Sequence, residues 1–348
     1  MNLLGQLPGV EAVVPIMQPN KLGSREFKNE DTSFNVGNST IGGKNLTLIA
    51  GPCSVENENQ INEIAKAVKS GGATILRGGS ESFHSSSVIT QIIKQSFLNS
   101  GLPDGVLQDI PTSDRDAVGH LLKMDDFIDV IVPRGGRSLI ERIIKDSRIH
   151  VIRHLDGICH TYIHRKSDPN IALKVLINAK MRRTGICGAT ETILLHKDIL
   201  KKFCTPIMNK LKKGDCKIYG DKEIKKTYKG KIYQASKKNW GKEYLAACIS
   251  VKTVKNSDEA INHVNKYGTM HTDAIITKNK KTALKFIKSV KSSIAIHNSS
   301  TQFADGGEFG FGGEVGISTN SLPPRGPVGL NQLVSYKYEV MGTGQIRK

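Results

Sequence analysis

From Leu46 onward, short apolar runs alternate with longer stretches whose apolar residues recur every three or four positions. LTLIAG (46–51) reads as a buried strand, and ATILRGG (73–79) reads as a second one. Between them, in NENQINEIAKAVKSGG, Ile61, Ile64, Ala65 and Val68 share a helical face. The three segments predict a β-α-β unit, with Ser54 or a following Asn capping the helix start and Gly71 and Gly72 suiting its end. The alternation continues as a helix over SSVITQIIKQSFLNSGLP, a strand at GVLQDIP, a helix over DRDAVGHLLKM, a strand at FIDVIVPRGG and a helix over RSLIERIIKDSR. Two further α/β stretches run from VIRHLDGICHTYIH to about Asn298, and a Gly-rich tail, DGGEFGFGGEVGIST, follows. Such spacing predicts a mainly parallel sheet with helices on both faces. The first forty-odd residues stand apart; their NVGNSTIGGKN has Asn and Gly placed for a hairpin or tight turn.

Composition bounds this picture. A chain of 348 residues, 38% hydrophobic, can bury a sizeable core in about two to three structural units. No run approaches the roughly 18 apolar residues of a membrane span, and the opening MNLLGQLPGVEAVVPIM lacks a basic start or cleavage pattern, so a cytoplasmic protein without membrane contact is expected. The six cysteines, at 53, 159, 187, 204, 216 and 248, show no C-x-x-C pairing and suggest neither a zinc site nor a disulfide framework. The net charge of +18 includes the Lys-rich tract 197–242, which has few aromatics to stack bases. It reads as a solvated basic surface that favours phosphate-bearing ligands over nucleic acid.

Three places carry candidate chemistry. VIVPRGGRSLIERI is an apolar strand ending in Arg134, Gly135, Gly136 and Arg137 directly before a helix; it suits a phosphate or pyrophosphate, or is a plain structural turn. NAKMRRTGICGATETILL sets Cys187 in a Gly-flanked turn after Lys180, Arg182 and Arg183, cations expected to lower its thiol pKa; the alternative is a buried structural cysteine. His154, His160 and His164 lie close together in RHLDGICHTYIHRK, but strand alternation does not put three ligands on one centre, and no metal is expected there.

From ILRGGSESFHSSSVI onward the chain resembles the gamma-glutamyl phosphate reductase (glutamate-5-semialdehyde dehydrogenase) family of the aldehyde dehydrogenase superfamily. The matching segments include LRGGSE, IPTSDRDAVGHLL, DVIVPRGGRSLI, HLDGICHTYI, NAKMRRTGICGATET, KYGTMHTDAI, HNSSTQFADGGEFGFGGEVGIST and RGPVGLNQLVSYKY. They cover Lys69 to the C-terminus. The first fifth, through VEAVVPIMQPNKLGSREF, IAGPCSVENENQ and ATILRGG, instead resembles the start of a 3-deoxy-D-arabino-heptulosonate-7-phosphate synthase, as though two sequences joined at KSGGATILRGG. In that second family Cys53 would be one metal ligand, but the later ligands do not follow.

The first resemblance implies an aldehyde dehydrogenase-like α/β fold: an incomplete Rossmann-like cofactor domain plus an α/β catalytic domain. The implied divisions are a preamble 1–45, a chimeric cofactor domain 46–153, a catalytic domain 154–298 and a segment 299–348 with an oligomerisation strand. It implies that the Cys187 thiolate attacks L-glutamyl 5-phosphate and that NADPH reduces the resulting thioester. Arg77, Ser80 and Glu81 match the family stretch near the adenosine ribose, and Arg134, Gly135, Gly136 and Ser138 match the turn near the cofactor. The expected A-R-P-N segment, whose Asn donates to the oxyanion, is replaced by residues 54–58, and the family's N-terminal region is absent, so weakened activity is expected. A non-catalytic fusion fragment and, less favoured, the synthase are the alternatives.

Overall fold

The computed structural model describes residues 33–36, 39–42, 74–77, 79, 82–99, 107–110, 112–154, 156–311, 314–333 and 338–347. The expected strand LTLIAG and the helix from about Asn57 to Ser70 lie outside them. The chain divides into two compact units, one of residues 1–131, 146–150 and 333–348, the other of residues 132–145 and 151–332.

In the first unit, β1 (Ser33–Val36) and β2 (Ser39–Gly42) pair antiparallel from Ser33 opposite Gly42 to Val36 opposite Ser39, the hairpin expected of the Asn/Gly pattern. The strand in ATILRGG forms as β3 (Thr74–Leu76) and pairs parallel with β4 (Leu107–Asp109), with α1 (Phe83–Asn99) between them in sequence. A short helix, α2 (Arg115–Leu121), follows, and its N-cap Asp114 accepts from the Asp116 N–H. The strand expected over FIDVIVPRGG is a correction: only β5 (Val130–Ile131) is extended, paired with β6 (His150–Val151) in a sheet separate from β3 and β4. Pro133 has no N–H for a ladder and Gly135 turns to φ +144°, so the extended run stops short of α3 (Arg137–Asp146).

The second unit holds a seven-stranded, wholly parallel sheet. Its elements in chain order are β7 (Cys159–Ile163), α4 (Pro169–Met181), β8 (Thr190–His196), α5 (Leu200–Lys212), β9 (Lys217–Gly220), α6 (Lys222–Thr227), β10 (Tyr233–Gln234), α7 (Lys237–Trp240), β11 (Cys248–Val254), α8 (Ser257–Tyr267), β12 (Thr272–Ile276), α9 (Lys280–Ser289) and β13 (Ile294–His297). The strand order is β10-β9-β11-β8-β7-β12-β13. Every residue of β7, β8 and β12 is buried, as parallel strands covered on both faces must be. Alternation along the strands divides the core. Ile163, Ile193 and Leu195 pack with Leu176, Phe203 and Ile207 of α4 and α5, while Tyr162, Leu194 and Ile275 pack with Ala260, Val264 and Phe286 of α8 and α9. A final antiparallel pair joins β14 (Ile317–Ser318), at the end of the Gly-rich tail, to β15 (Gly326–Pro327) beyond it.

Candidate active site

Three central strands begin at the same end of the sheet, and the segments that lead into β7, β8 and β12 carry Gly157, Cys187 and His271. The site thus lies at the strands' amino ends. Cys159 Sγ donates to the Cys187 carbonyl at 3.1 Å, and a Cβ at Gly157 would stand 2.6 Å from Cys187 Cα, so only glycine lets the two segments touch. The Gly157 N–H donates to Glu243 Oε1 at 2.8 Å, and the Leu245 N–H donates to Glu191 Oε1 at 3.3 Å. Glu191 in turn pairs with Lys180 at 2.6 Å, both side chains fully buried. Gln302 Nε2 donates to the carbonyls of Ala179 and Arg183, closing the end of α4 beneath the turn.

The electrostatics reverse the sequence expectation. Burial pushes the Cys187 thiol up to about 11, Glu243 and Glu314 push the same way, and Arg134 and a backbone hydrogen bond at Cys187 itself pull down. The cations that precede Cys187 in sequence are engaged elsewhere: Lys180 is spent on Glu191, and Arg182 Nη1 donates to Gln302 Oε1. Burial also raises Glu191 to about 7 against the pull of Lys180.

Of the other residues singled out, Arg134 Nη2 donates to the Val315 carbonyl, and a Cβ on Gly316, at φ +143°, would meet its Cζ at 3.0 Å. Gly135 and Gly136, just before α3, and Ser138 in its first turn are exposed, and a Cβ on Gly136 would meet none of the described residues within 4 Å. Arg77 Nη2 donates to the carbonyls of Ser113 and Asp114, bracing the turn into α2. Ser80 and Glu81, like Cys53, lie outside the described residues.

The three histidines close in sequence separate in space. His160 Nδ1 meets Asp273 Oδ1 at 2.8 Å, and His164 Nδ1 meets Thr277 Oγ1 at 2.9 Å. Only His154 reaches Cys187, and it is joined by His271, which sequence reasoning missed. Its one signal is a histidine directly before the apolar run TDAII in KYGTMHTDAI.

A profile described as the aldehyde dehydrogenase family matches residues 59–230 and 231–321. The chain belongs to that family. It is 50% identical to a gamma-glutamyl phosphate reductase of Rhodospirillum rubrum over 283 residues, 81% of this chain and 66% of that protein. It is 46% identical to one of Zymomonas mobilis over 82% of this chain and 67% of that protein. It therefore spans about two thirds of the length of the curated relatives it matches. Among solved structures, the gamma-glutamyl phosphate reductase of Thermotoga maritima is 32% identical with a TM-score of 0.77, covering 92% of this chain and 80% of that one. An acetylating aldehyde dehydrogenase of Geobacillus thermoglucosidasius, 17% identical with a TM-score of 0.62 over 87% of this chain and 76% of that one, shares the fold. The resemblance of the first fifth to a heptulosonate-phosphate synthase finds no support in these matches, and the family profile itself starts ahead of Lys69. Among the described residues, no helix is long and apolar enough to cross a membrane.

Members of the family use nicotinamide cofactors. The start of α3 fits such a group. Gly136 is exposed and leaves room for close approach directly before a helix start, the kind of place that suits a pyrophosphate.

Proposed function

We propose that this chain reduces L-glutamyl 5-phosphate to L-glutamate 5-semialdehyde, a step of proline biosynthesis, with NADPH as reductant. The observation that carries the reading is Cys187, the one described cysteine that is not buried, held at the amino ends of three parallel strands in a chain that is 50% identical over 283 residues to a gamma-glutamyl phosphate reductase. The Cys187 sulfur, as thiolate, bonds to the acyl carbon while the carbon–oxygen bond to phosphate breaks and inorganic phosphate leaves. NADPH, when bound, supplies the hydride that reduces the acyl carbon. The carbon–sulfur bond then breaks, releasing the aldehyde and returning Cys187. Gly157 and Cys159 fix the main chain of residue 187 throughout, and Gly135, Gly136 and Ser138 would hold the cofactor's phosphates.

In this reading residues 46–153 serve the cofactor, 154–298 the chemistry and 299–348 self-association. The enzyme works in the cytoplasm on a small molecule, without nucleic acid. The segment 54–58 replaces the family's oxyanion Asn, and loss of one such donor costs about 3 kcal/mol, roughly two orders of magnitude in rate. The proposal that the first fifth was joined from a synthase rests on the motifs of that segment alone. The test is phosphate-dependent reduction of NADP with glutamate 5-semialdehyde. Slow turnover is expected, abolished in Cys187→Ser and retained in Cys53→Ser; the opposite ranking overturns the assignment.

A further inference from the structure

Cys187 Sγ, one ring nitrogen of His154 and one of His271 lie within 4.8 Å of one another. Both imidazoles are oriented from behind. His154 Nδ1–H donates to the Ile317 carbonyl at 2.7 Å, which leaves a lone pair on Nε2. His271 is fully buried; its Nδ1 meets Thr272 Oγ1 at 2.8 Å and Cys159 Sγ at 3.5 Å, and among the described residues its Nε2 has no hydrogen-bond partner. A buried ring nitrogen without a partner is costly and calls for an explanation. The two rings stand edge to face, 5.3 Å apart. At the Cys187 sulfur the carboxylates of Glu243 and Glu314 outweigh the guanidinium of Arg134, whereas at His154 Arg134 outweighs Asp156. At the sulfur that balance favours a cation.

We propose that Cys187, His154 and His271 form a binding site for a soft divalent cation with the ligand preferences of zinc, and that filling it blocks the Cys187 sulfur. One thiolate and two imidazoles are a zinc-type donor set, whereas magnesium and calcium take oxygen ligands. Tetrahedral bonds of about 2.0–2.3 Å put ligand atoms roughly 3.3–3.8 Å apart, so the cluster closes by about 1 Å. His154, half-buried and hung on one hydrogen bond to Ile317, supplies that movement. On binding, the thiol releases its proton to water and a sulfur–metal bond forms with no change of oxidation state; the fourth position stays open to water. The other described cysteines are buried and belong to no such cluster. Binding stands on the geometry and chemistry of the cluster, while its inhibitory effect rests on Cys187 being the nucleophile of the proposed reaction.

Cobalt(II) titrated into the reduced full-length chain gives the readout, because thiolate ligation produces a sulfur-to-cobalt charge-transfer band. One equivalent should saturate the band, zinc should displace it, and excess magnesium should not. Cys187→Ser should abolish it, and His154→Gln and His271→Gln should each weaken binding by at least about tenfold. Thermal melting without metal identifies a variant that has lost its fold, and half-buried His154 makes His154→Gln the decisive one. No band, a band that survives Cys187→Ser, or unchanged affinity in a folded His154→Gln overturns the site. If the wild-type chain turns over, stoichiometric zinc should inhibit and a chelator should restore it, and indifference to saturating zinc overturns the inhibitory role. If it does not turn over, the proposed reaction has failed, and the cobalt band still decides the site.

Discussion

Lys180 and Glu191 show how one residue pair supports the thiol without touching it. Removing one partner strands the other charge in a dry interior, at a cost of about 3–5 kcal/mol, while removing both together leaves no orphan. Urea unfolding should therefore give a large loss for Lys180→Met and, for Lys180→Met with Glu191→Gln, a loss smaller than the sum of the two singles. Simple additivity would show that the pair is not coupled. The thiol itself gives the second residue-scale prediction. With its pKa pushed up to about 11, alkylation of Cys187 by iodoacetamide should climb about tenfold per pH unit from 7 to 9 with no plateau near 8.5. Glu243→Gln removes an anion but keeps an acceptor for the Gly157 N–H, so it should speed alkylation severalfold at pH 8. Unchanged or slower alkylation would contradict the charge account. Here the sequence misled. Lys180, Arg182 and Arg183 are neighbours of Cys187 along the chain, but the groups that set its field, Glu243, Glu314 and Arg134, come from distant segments that no local pattern reveals.

At the scale of elements, the entry turns into the strands carry the geometry. The segment leading into β7 presses Gly157 against Cys187, whereas Gly136 stands before α3 with none of the described residues near its missing side chain. Gly157→Ala should push the Cys187 segment aside, and a misplacement of about 1 Å costs roughly a hundredfold in rate. Gly136→Ala should leave the melting temperature within error while weakening NADPH binding. Equal effects of the two substitutions on melting and turnover would refute this division of roles. Which elements form was largely legible. The apolar runs at CHTYI, TILLH and TDAII are strands, and Asp168, Asn256 and Asn279 cap the helices that follow their patterns. Less legible was the length of β5, because the same apolar letters over residues 127–132 serve a strand or a loop, and Pro133 decides. The order β10-β9-β11-β8-β7-β12-β13 was not legible at all. Buried parallel strands are alike in composition, and their neighbours are chosen by the tertiary packing of the intervening helices.

Across the whole molecule, the buried histidines tie folding to pH. Burial lowers His271 to about 3 and His263 to about 2, and it lowers His164, His154 and His196 as well. Each folded pKa lies below the unfolded value of 6.5, so below pH 6.5 the unfolded chain binds protons that the folded chain refuses. Their contribution to stability is thus complete above pH 6.5 and falls as pH drops toward the folded values. Glu191 runs the other way: raised to about 7, it binds a proton in the folded state between 4.5 and 7 and offsets one histidine there. Glu243 and Glu314 are raised too, but the lowered histidines outnumber these carboxylates. The chain already carries +18 at pH 7, and the protons gained on unfolding add to that repulsion in the unfolded state only, where the charges are furthest apart. Urea unfolding at pH 7, 6 and 5 should accordingly show stability falling with pH. A single variant separates one histidine from this background. His263 packs against the rings of His160, Trp240 and Tyr267, and among the described residues its Nε2 has no partner, so His263→Phe removes a titrating group from a site already shaped for a ring. Below pH 6 the variant's stability should fall less steeply than the wild type's by about 1.4 kcal/mol per pH unit, one proton's worth. Parallel slopes for the two proteins would mean that His263 is as readily protonated in the folded chain as in the unfolded one, and that the buried histidines are not what makes this fold sensitive to acid.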